Sequence, residues 1–287
     1  MNEGDKTLTH GTQRTVTYQG SVADTETKND DRLATLVQSY DAAFRFAFES
    51  FALGTTDSPV RDGEVLELAR RAGITRGSRV LEPGSGSGGV SRLLARELKC
   101  EVQGIDLTPS QFEEAQRRAE EAALQDLVSC SLGDMEVFDY EQEAYDVALD
   151  VFSWIQVPDW RRLFSLLRGA LKPGGRIVMY DAFLAPAATD ETAASVRDAW
   201  LVRICAVDDC TALLEESGYR VIHSQDRGRK VLDNWRGGLA NLRQRKDEFL
   251  GRFGEDAYRF FVETSAWTIG AYEREELTAA QIIAEKT

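Results

Sequence analysis

The sequence predicts an α/β fold: a doubly wound parallel sheet with helices on both faces. Three observations carry this. Short apolar stretches alternate with amphipathic helical stretches through residues 78–183, the pattern of βαβ units. Crossovers between parallel strands are right-handed, which makes the doubly wound arrangement the economical topology. The stretch VLEPGSGSGG at positions 80–89 sets glycines between a strand and a helix, where open α/β sheets hold their ligands.

The elements follow in order. Residues 1–30, rich in Thr, Asp, Asn and Gln, are expected to form a mobile tail. From Asp31, the apolar residues Leu33, Leu36, Val37, Tyr40, Phe44 and Phe48 recur at helical spacing. A second helix is predicted over 59–72, with Ser58 as its N-cap, Pro59 in its first turn and Gly73 at its end. Strands are predicted at 78–83, 101–106, 127–132, 145–152 and 176–183. The helices between them fall at 89–99, 109–124 and 158–171, the last stopped by KPGG at 172–175. Residues 185–205 interrupt the alternation as a partly helical insertion. A helix at 206–217, a strand at 219–225, helices at 231–249 and from 255 to 268 or beyond, and a last strand at 279–285 complete the chain. The expected organisation is one domain over 31–287, with cap helices at 31–73, 184–205 and 231–270.

Composition narrows the function classes. The 287 residues are 43% hydrophobic with a formal net charge of −14. That balance argues against general nucleic-acid binding, which needs clustered Lys and Arg. No run of about 20 apolar residues predicts a membrane span, and no apolar leader segment is visible at the N-terminus. Four cysteines without a CxxC pair and two histidines, His10 and His223, do not compose a metal site. The expectation is a cytoplasmic protein with reduced cysteines.

The glycines have a physical reason. A strand that turns sharply into a helix beneath a ligand needs unusual φ/ψ and no Cβ, and the helix N-terminus supplies free N–H donors. The Lys-Ser/Thr that would close a phosphate loop is missing, because Val90 follows Gly89. Gly84 to Gly89 do satisfy G-x-G-x-x-G, so a nicotinamide cofactor stays open on the glycines alone. Asp106 ends the second strand roughly 20 residues after Gly84, where a carboxylate accepts ribose hydroxyls. Glu82 stands where a ligand's positive charge can lie, which suits a sulfonium cofactor with a free amino group.

VLEPGSGSGG, GIDLTPSQ, GDM, YDVALD and LKPGGRIVMYD, in this order, resemble the successive motifs of class I S-adenosylmethionine-dependent methyltransferases. The resemblance covers about residues 31–181. It is nearest to the small-molecule branch, such as the sarcosine/dimethylglycine, sugar O- and prenyl-diphosphate C-methyltransferases. It implies a Rossmann-like seven-stranded sheet with N- and C-terminal helical caps, S-adenosylmethionine as cofactor and S-adenosylhomocysteine as product. It also implies roles. Gly84, Gly86 and Gly88 would line the amino-acid and ribose parts, and Glu82 would help hold the amino group. Asp106 would take the ribose hydroxyls, with Leu107 against adenine. Asp134 would meet the adenine amino group under Met135, and Asp150 and Val151 would lie near the methionine moiety. Gln111 matches a cofactor-contacting glutamine of these relatives. The implied partner is a small-molecule acceptor of natural-product metabolism, with no nucleic acid and no membrane, and with homo-oligomerisation left open.

One departure bears on mechanism. Many members of the family it resembles carry a histidine after the fourth strand, where this chain has WIQVPDW with Gln156. Glutamine cannot take a proton at neutral pH. Asp181, Tyr180, Glu191 and Asp41 remain as candidate bases, and Tyr40 as a further catalytic candidate. An acceptor that is already nucleophilic needs none. Tyr40, Phe44, Phe48, Trp154, Trp200, Trp235 and Trp267 read either as a cage for the acceptor or as cap packing. Arg197, Arg203 and Arg236 read either as an anion clamp or as solvated charge. A protein or RNA acceptor is one alternative. A cofactor-binding fold that no longer transfers methyl is another.

Overall fold

A computed structural model of the chain describes residues 58–200 and 204–287, and a two-residue antiparallel ladder joining Thr7–Leu8 to Val16–Thr17. The rest of the 1–30 tail, the helix predicted from Asp31, Tyr40, Asp41, Phe44, Phe48, Arg203 and the Trp200 side chain lie outside the described residues.

The first described helix, α1 (Asp62–Arg71), begins three residues later than the sequence predicts. Ser58 does not cap it. Glu64 reaches back to accept the Arg61 N–H at 3.1 Å, and Pro59 is pinned because its carbonyl accepts from Asn234 Nδ2 at 3.2 Å. β1 (Arg79–Pro83), α2 (Gly89–Leu98), β2 (Glu101–Asp106), α3 (Pro109–Glu121), β3 (Val128–Leu132) and β4 (Tyr145–Val151) then alternate as expected. Thr108 and Pro109 start α3 in the manner of a cap followed by proline. Asp159 starts α4 (Trp160–Ala170) by accepting from the Arg162 N–H at 3.0 Å. KPGG stops α4 and also lies inside β5 (Leu171–Leu184): Tyr145 pairs Leu171 and Val147 pairs Arg176, so the glycines bulge out of the ladder.

Next come α5 (Asp190–Trp200), α6 (Val207–Glu216), β6 (Tyr219–Asp226), α7 (Gly228–Gln244), α8 (Lys246–Glu273) and β7 (Leu277–Lys286). The sequence placed the α7–α8 boundary past Phe249. It falls at Arg245, and a second break occurs inside α8 at Gly254, with φ 83° and ψ 176°.

The seven strands form one sheet in the order β3-β2-β1-β4-β5-β7-β6. The alternating strands β1 to β5 pair in parallel as the sequence predicts, and β7 runs antiparallel to both of its neighbours. The reason is the helix pair before it. Asp226 at the end of β6 pairs Ala280 near the start of β7. The α7–α8 hairpin therefore returns the chain to the end of the sheet it left, and the next strand must run back.

Apolar residues bury on both faces. One face packs Val80, Val102, Leu149 and Val178 against α1, α2, α7 and α8. The other packs Leu81, Ile105, Ala148 and Met179 against α4 and α6. Each large aliphatic side chain so enclosed contributes about 1.5–3 kcal/mol. Trp235, Leu239, Phe249 and Tyr272 belong to the first face, so α7 and α8 build the core as well as capping it.

Candidate cofactor site

The site forms where β1, β2, β3 and β4 end. Pro83 closes β1, and the chain turns through Gly84, Gly86 and Gly88 with φ of 80°, 53° and 74°. This is the left-handed region that glycine enters without strain. The turn is tied to β2: the Gly84 and Ser85 N–H groups donate to the Ile105 carbonyl at 2.7 and 3.0 Å. Gly88 is the N-cap of α2, so the first N–H groups of the helix point into the loop.

The glycines are not equivalent. A Cβ on Gly84 would lie 2.6 Å from Ser153 Oγ and 3.1 Å from Met135 Cε, whereas one on Gly86 would meet nothing within 4 Å. Gly84→Ala is therefore expected to cost about 2–4 kcal/mol of fold stability, from strain and overpacking. Gly86→Ala should cost about 1–2 kcal/mol from its φ alone, with its added methyl entering the open side of the loop and weakening cofactor binding. Melting curves paired with calorimetric titration separate the two effects.

Four carboxyls converge here. Asp106, half-buried, accepts the Gly86 N–H at 2.8 Å and the Thr108 N–H at 2.8 Å, one on each oxygen. Each oxygen keeps a further lone pair for a hydroxyl. Burial raises its carboxyl above the ordinary value. Glu82 is almost fully enclosed, accepts from the Ser91 hydroxyl of α2, and is pushed up to about 8 by burial. Asp134, buried, accepts the Glu136 N–H at 2.9 Å. The Gly133 N–H donates to the Asp106 carbonyl at 2.9 Å, which docks the loop after β3 onto β2. Asp150, wholly enclosed, accepts from Ser153 N and Trp154 N at 2.9 Å each and from Ser153 Oγ at 2.7 Å. Trp154 Nε1 donates to the Pro83 carbonyl at 3.0 Å, stitching the β4 turn to the glycine loop.

The other cofactor candidates fall around this ring. Leu107 and Met135 are half-buried, and Met135 is fixed by Tyr140, whose hydroxyl donates to its carbonyl at 2.8 Å. Val151 is half-buried at the end of β4, on the face opposite Asp150. Gln111 is buried in the first turn of α3, and its Oε1 has no partner. An orphaned buried acceptor, an open left-handed glycine and a concentration of acids fit a ligand with hydroxyl and cationic groups, the chemistry of S-adenosylmethionine.

The catalytic candidates scatter. Tyr180 and Asp181 are consecutive on β5, face opposite sides of the sheet and are both wholly enclosed. The Tyr180 hydroxyl donates to Glu64 Oε1 at 2.9 Å, in a network continued by Asn234 and Arg61. Asp181 holds the Ile155 and Ala182 N–H groups at 3.0 and 2.8 Å. Neither side chain is exposed among the described residues. Gln156 is half-buried in the 3₁₀ turn Trp154–Gln156. Glu191 is exposed on α5, and His223 lies on β6 at the sheet edge, held below its ordinary value by burial. Trp154 and Trp235 are core side chains, and Arg236 pairs with Asp233 and Glu273 at the surface.

Sequence reasoning missed Ser91, Thr108 and Ser153, and it read Trp154 as cage or cap packing where the structure ties its N–H groups to Asp150 and Pro83. Thr108 before Pro109 carries a cap signal. Ser153 carries none, because its role arises from the turn after β4 meeting the loop after β1.

Residues 80–175 match a protein family described as methyltransferase domain. The methyltransferase GfsG of Streptomyces halstedii is 27% identical over 165 residues, 56% of this chain and 59% of that protein. The sterol 24-C-methyltransferase of Clavispora lusitaniae is 29% identical over 155 residues, 54% of this chain and 41% of that protein. The chain thus spans about half the length of the curated relatives it matches. The solved phosphoethanolamine N-methyltransferase 2 of Haemonchus contortus, bound to phosphomonomethylethanolamine and S-adenosylhomocysteine, superposes with a TM-score of 0.81 at 20% identity, covering 89% of this chain and 60% of that one. Strand order, glycine loop and matched family define a class of protein, the Rossmann-like methyltransferases. Residues 80–175 of this chain are similar to that methyltransferase domain, and they lie on the Rossmann-like sheet.

Proposed function

We propose that the protein binds S-adenosylmethionine at the Gly84–Gly88 turn and transfers its methyl group to a small-molecule acceptor. The single observation that carries this is the loop itself: three left-handed glycines held open by a carboxylate, Asp106, that bonds Gly86 and Thr108. Residues 31–287 are read as one catalytic unit, with the cap segments 31–73, 184–205 and 231–270 enclosing the acceptor.

The cofactor supplies an electrophilic methyl on a sulfonium. The chain's own residues do the rest. Asp106 receives the ribose hydroxyls on its remaining lone pairs, with Leu107 beside the adenine. Asp134 and Met135 take the adenine amino group and ring face, and Gln111 Oε1 accepts a polar hydrogen. Glu82 faces the amino group. The Asp150-anchored turn and Val151 border the methionine end. Transfer is an in-line displacement in which alignment and water exclusion supply most of the acceleration. With Asp181 and Tyr180 enclosed, the acceptor is read as already nucleophilic: an amine, a thiolate or an electron-rich carbon.

A sterol, in the name of one similar protein, and phosphomonomethylethanolamine, bound to another, both belong to small-molecule chemistry. The acidic chain, at −14, supports such an acceptor over nucleic acid. No described helix is long and apolar enough to cross a membrane. We read the protein as a cytoplasmic enzyme of natural-product metabolism.

The test is incubation with methyl-labelled S-adenosylmethionine and source-cell extract, followed by mass detection of the label. Label in a metabolite is the expected result. Label in protein or RNA overturns the acceptor class. Binding of S-adenosylhomocysteine with no label in any fraction overturns methyl transfer.

A further inference from the structure

Asp150 on β4 and Asp181 on β5 are both wholly enclosed, and their carboxyl groups meet. Every other oxygen of the pair is taken. Asp150 Oδ1 accepts three donors from residues 153 and 154. Asp181 Oδ2 and Oδ1 accept the Ile155 and Ala182 N–H groups. Asp150 Oδ2 is left with no donor except a proton carried by Asp181. Two ionised carboxylates in contact repel, and in a dry interior nothing screens them. One proton between them converts the repulsion into a charge-assisted hydrogen bond.

We propose that Asp150 and Asp181 share a single proton, and that this carboxyl–carboxylate pair is a positioning device for the cofactor loop. Together the two residues grip three consecutive N–H groups, those of Ser153, Trp154 and Ile155. That grip sets Ser153 against Gly84 and aims Trp154 Nε1 at the Pro83 carbonyl. The pair therefore acts on bound cofactor through the loop, not by touching the transferred methyl. Burial raises both groups, Asp150 to about 6 and Asp181 well above its ordinary value, in keeping with one retained proton. The titratable groups near the pair are Glu82 from β1, Tyr272 from α8, Cys205 just before α6 and Cys210 in its first turn.

The inference rests on the loop being the cofactor site, and the experiment keeps the two apart. Infrared difference spectra of the full chain are taken without cofactor in a Glu82→Gln background, which removes the neighbouring carboxyl that is also protonated near neutrality. A protonated-carboxyl band at pH 7 that disappears on adding Asp181→Asn is expected. The absence of that band overturns the proposal. Calorimetry with S-adenosylhomocysteine then compares variants with Glu82 intact. Asp181→Asn keeps a donor for Asp150 and one oxygen for the Ile155 N–H while giving up the acceptor of the Ala182 N–H, and should bind within about threefold of wild type, while Asp181→Ala loses all three and should bind at least about tenfold more weakly. Equal losses in the two variants overturn the positioning role. If Asp181→Ala does not fold, the band and the Asn variant decide. If wild type binds no S-adenosylhomocysteine, the cofactor reading falls while the band still judges the shared proton.

Discussion

Glu82→Gln should make the protein more stable above neutral pH while weakening its hold on S-adenosylmethionine. Glu82 is 4% exposed, and burial raises its carboxyl to about 8. The folded chain therefore keeps a proton that the unfolded chain has released anywhere between about pH 4.5 and about pH 8. Stability must fall as pH rises through that window, because the folded state binds more protons than the unfolded one. At about 1.4 kcal/mol per unit the whole window sums to at most about 5 kcal/mol, and relaxation of the site brings the expected difference to about 2–3 kcal/mol. Glutamine keeps the acceptor for Ser91 and has no such slope. At pH 8 the variant should melt about 5–10 °C higher than wild type, and at pH 5 the two should converge. A variant that melts lower at pH 8 rejects the argument.

Binding should move the other way. A cofactor ammonium beside Glu82 favours the carboxylate, so binding near pH 7 releases a proton and affinity rises between about pH 6 and about pH 8. In the glutamine variant affinity should be about tenfold lower at pH 8 and flat with pH. Calorimetry in buffers of different ionisation enthalpy reads the released proton directly. A pH-independent wild-type affinity would place the amino group away from Glu82.

Asp106→Ala is the second large effect. It deletes the acceptor for Gly86 N–H and Thr108 N–H at once, and with them the group read as the ribose ligand. Each hydrogen bond to a charged acceptor is worth about 1.5–3 kcal/mol, partly recovered by water at this half-exposed site. A loss of about 3–4 kcal/mol of S-adenosylhomocysteine binding follows, roughly two to three orders of magnitude in affinity. Asp106→Asn keeps one acceptor oxygen and should fall between. Calorimetry checks both, with NAD as a control ligand. Tight NAD binding, or an Asp106→Ala variant within threefold of wild type, would refute the assignment.

The glycine turn and the acids around it were legible because their geometry is local. Glycines at 84, 86 and 88, an acid closing β2 and Thr-Pro opening α3 are each dictated by the backbone next to them. Their order along the chain placed them at the same end of the sheet. Element types were legible for the same reason, since apolar spacing reports which face is buried. Element ends were less so: α1 starts at Asp62 because Glu64 and Asn234 hold the residues before it, and Asn234 is a partner 170 positions from Glu64.

By itself, then, the sequence determined the α/β class, the glycine turn and the carboxylates around it, because these depend on neighbours within a few residues. Only the tertiary structure decided the direction of β7, the enclosure of Tyr180 and Asp181, and the contact between Asp150 and Asp181. Those are set by which strands lie side by side and what packs over them. No spacing along the chain encodes that two carboxyls on adjacent strands meet in a place that water does not reach.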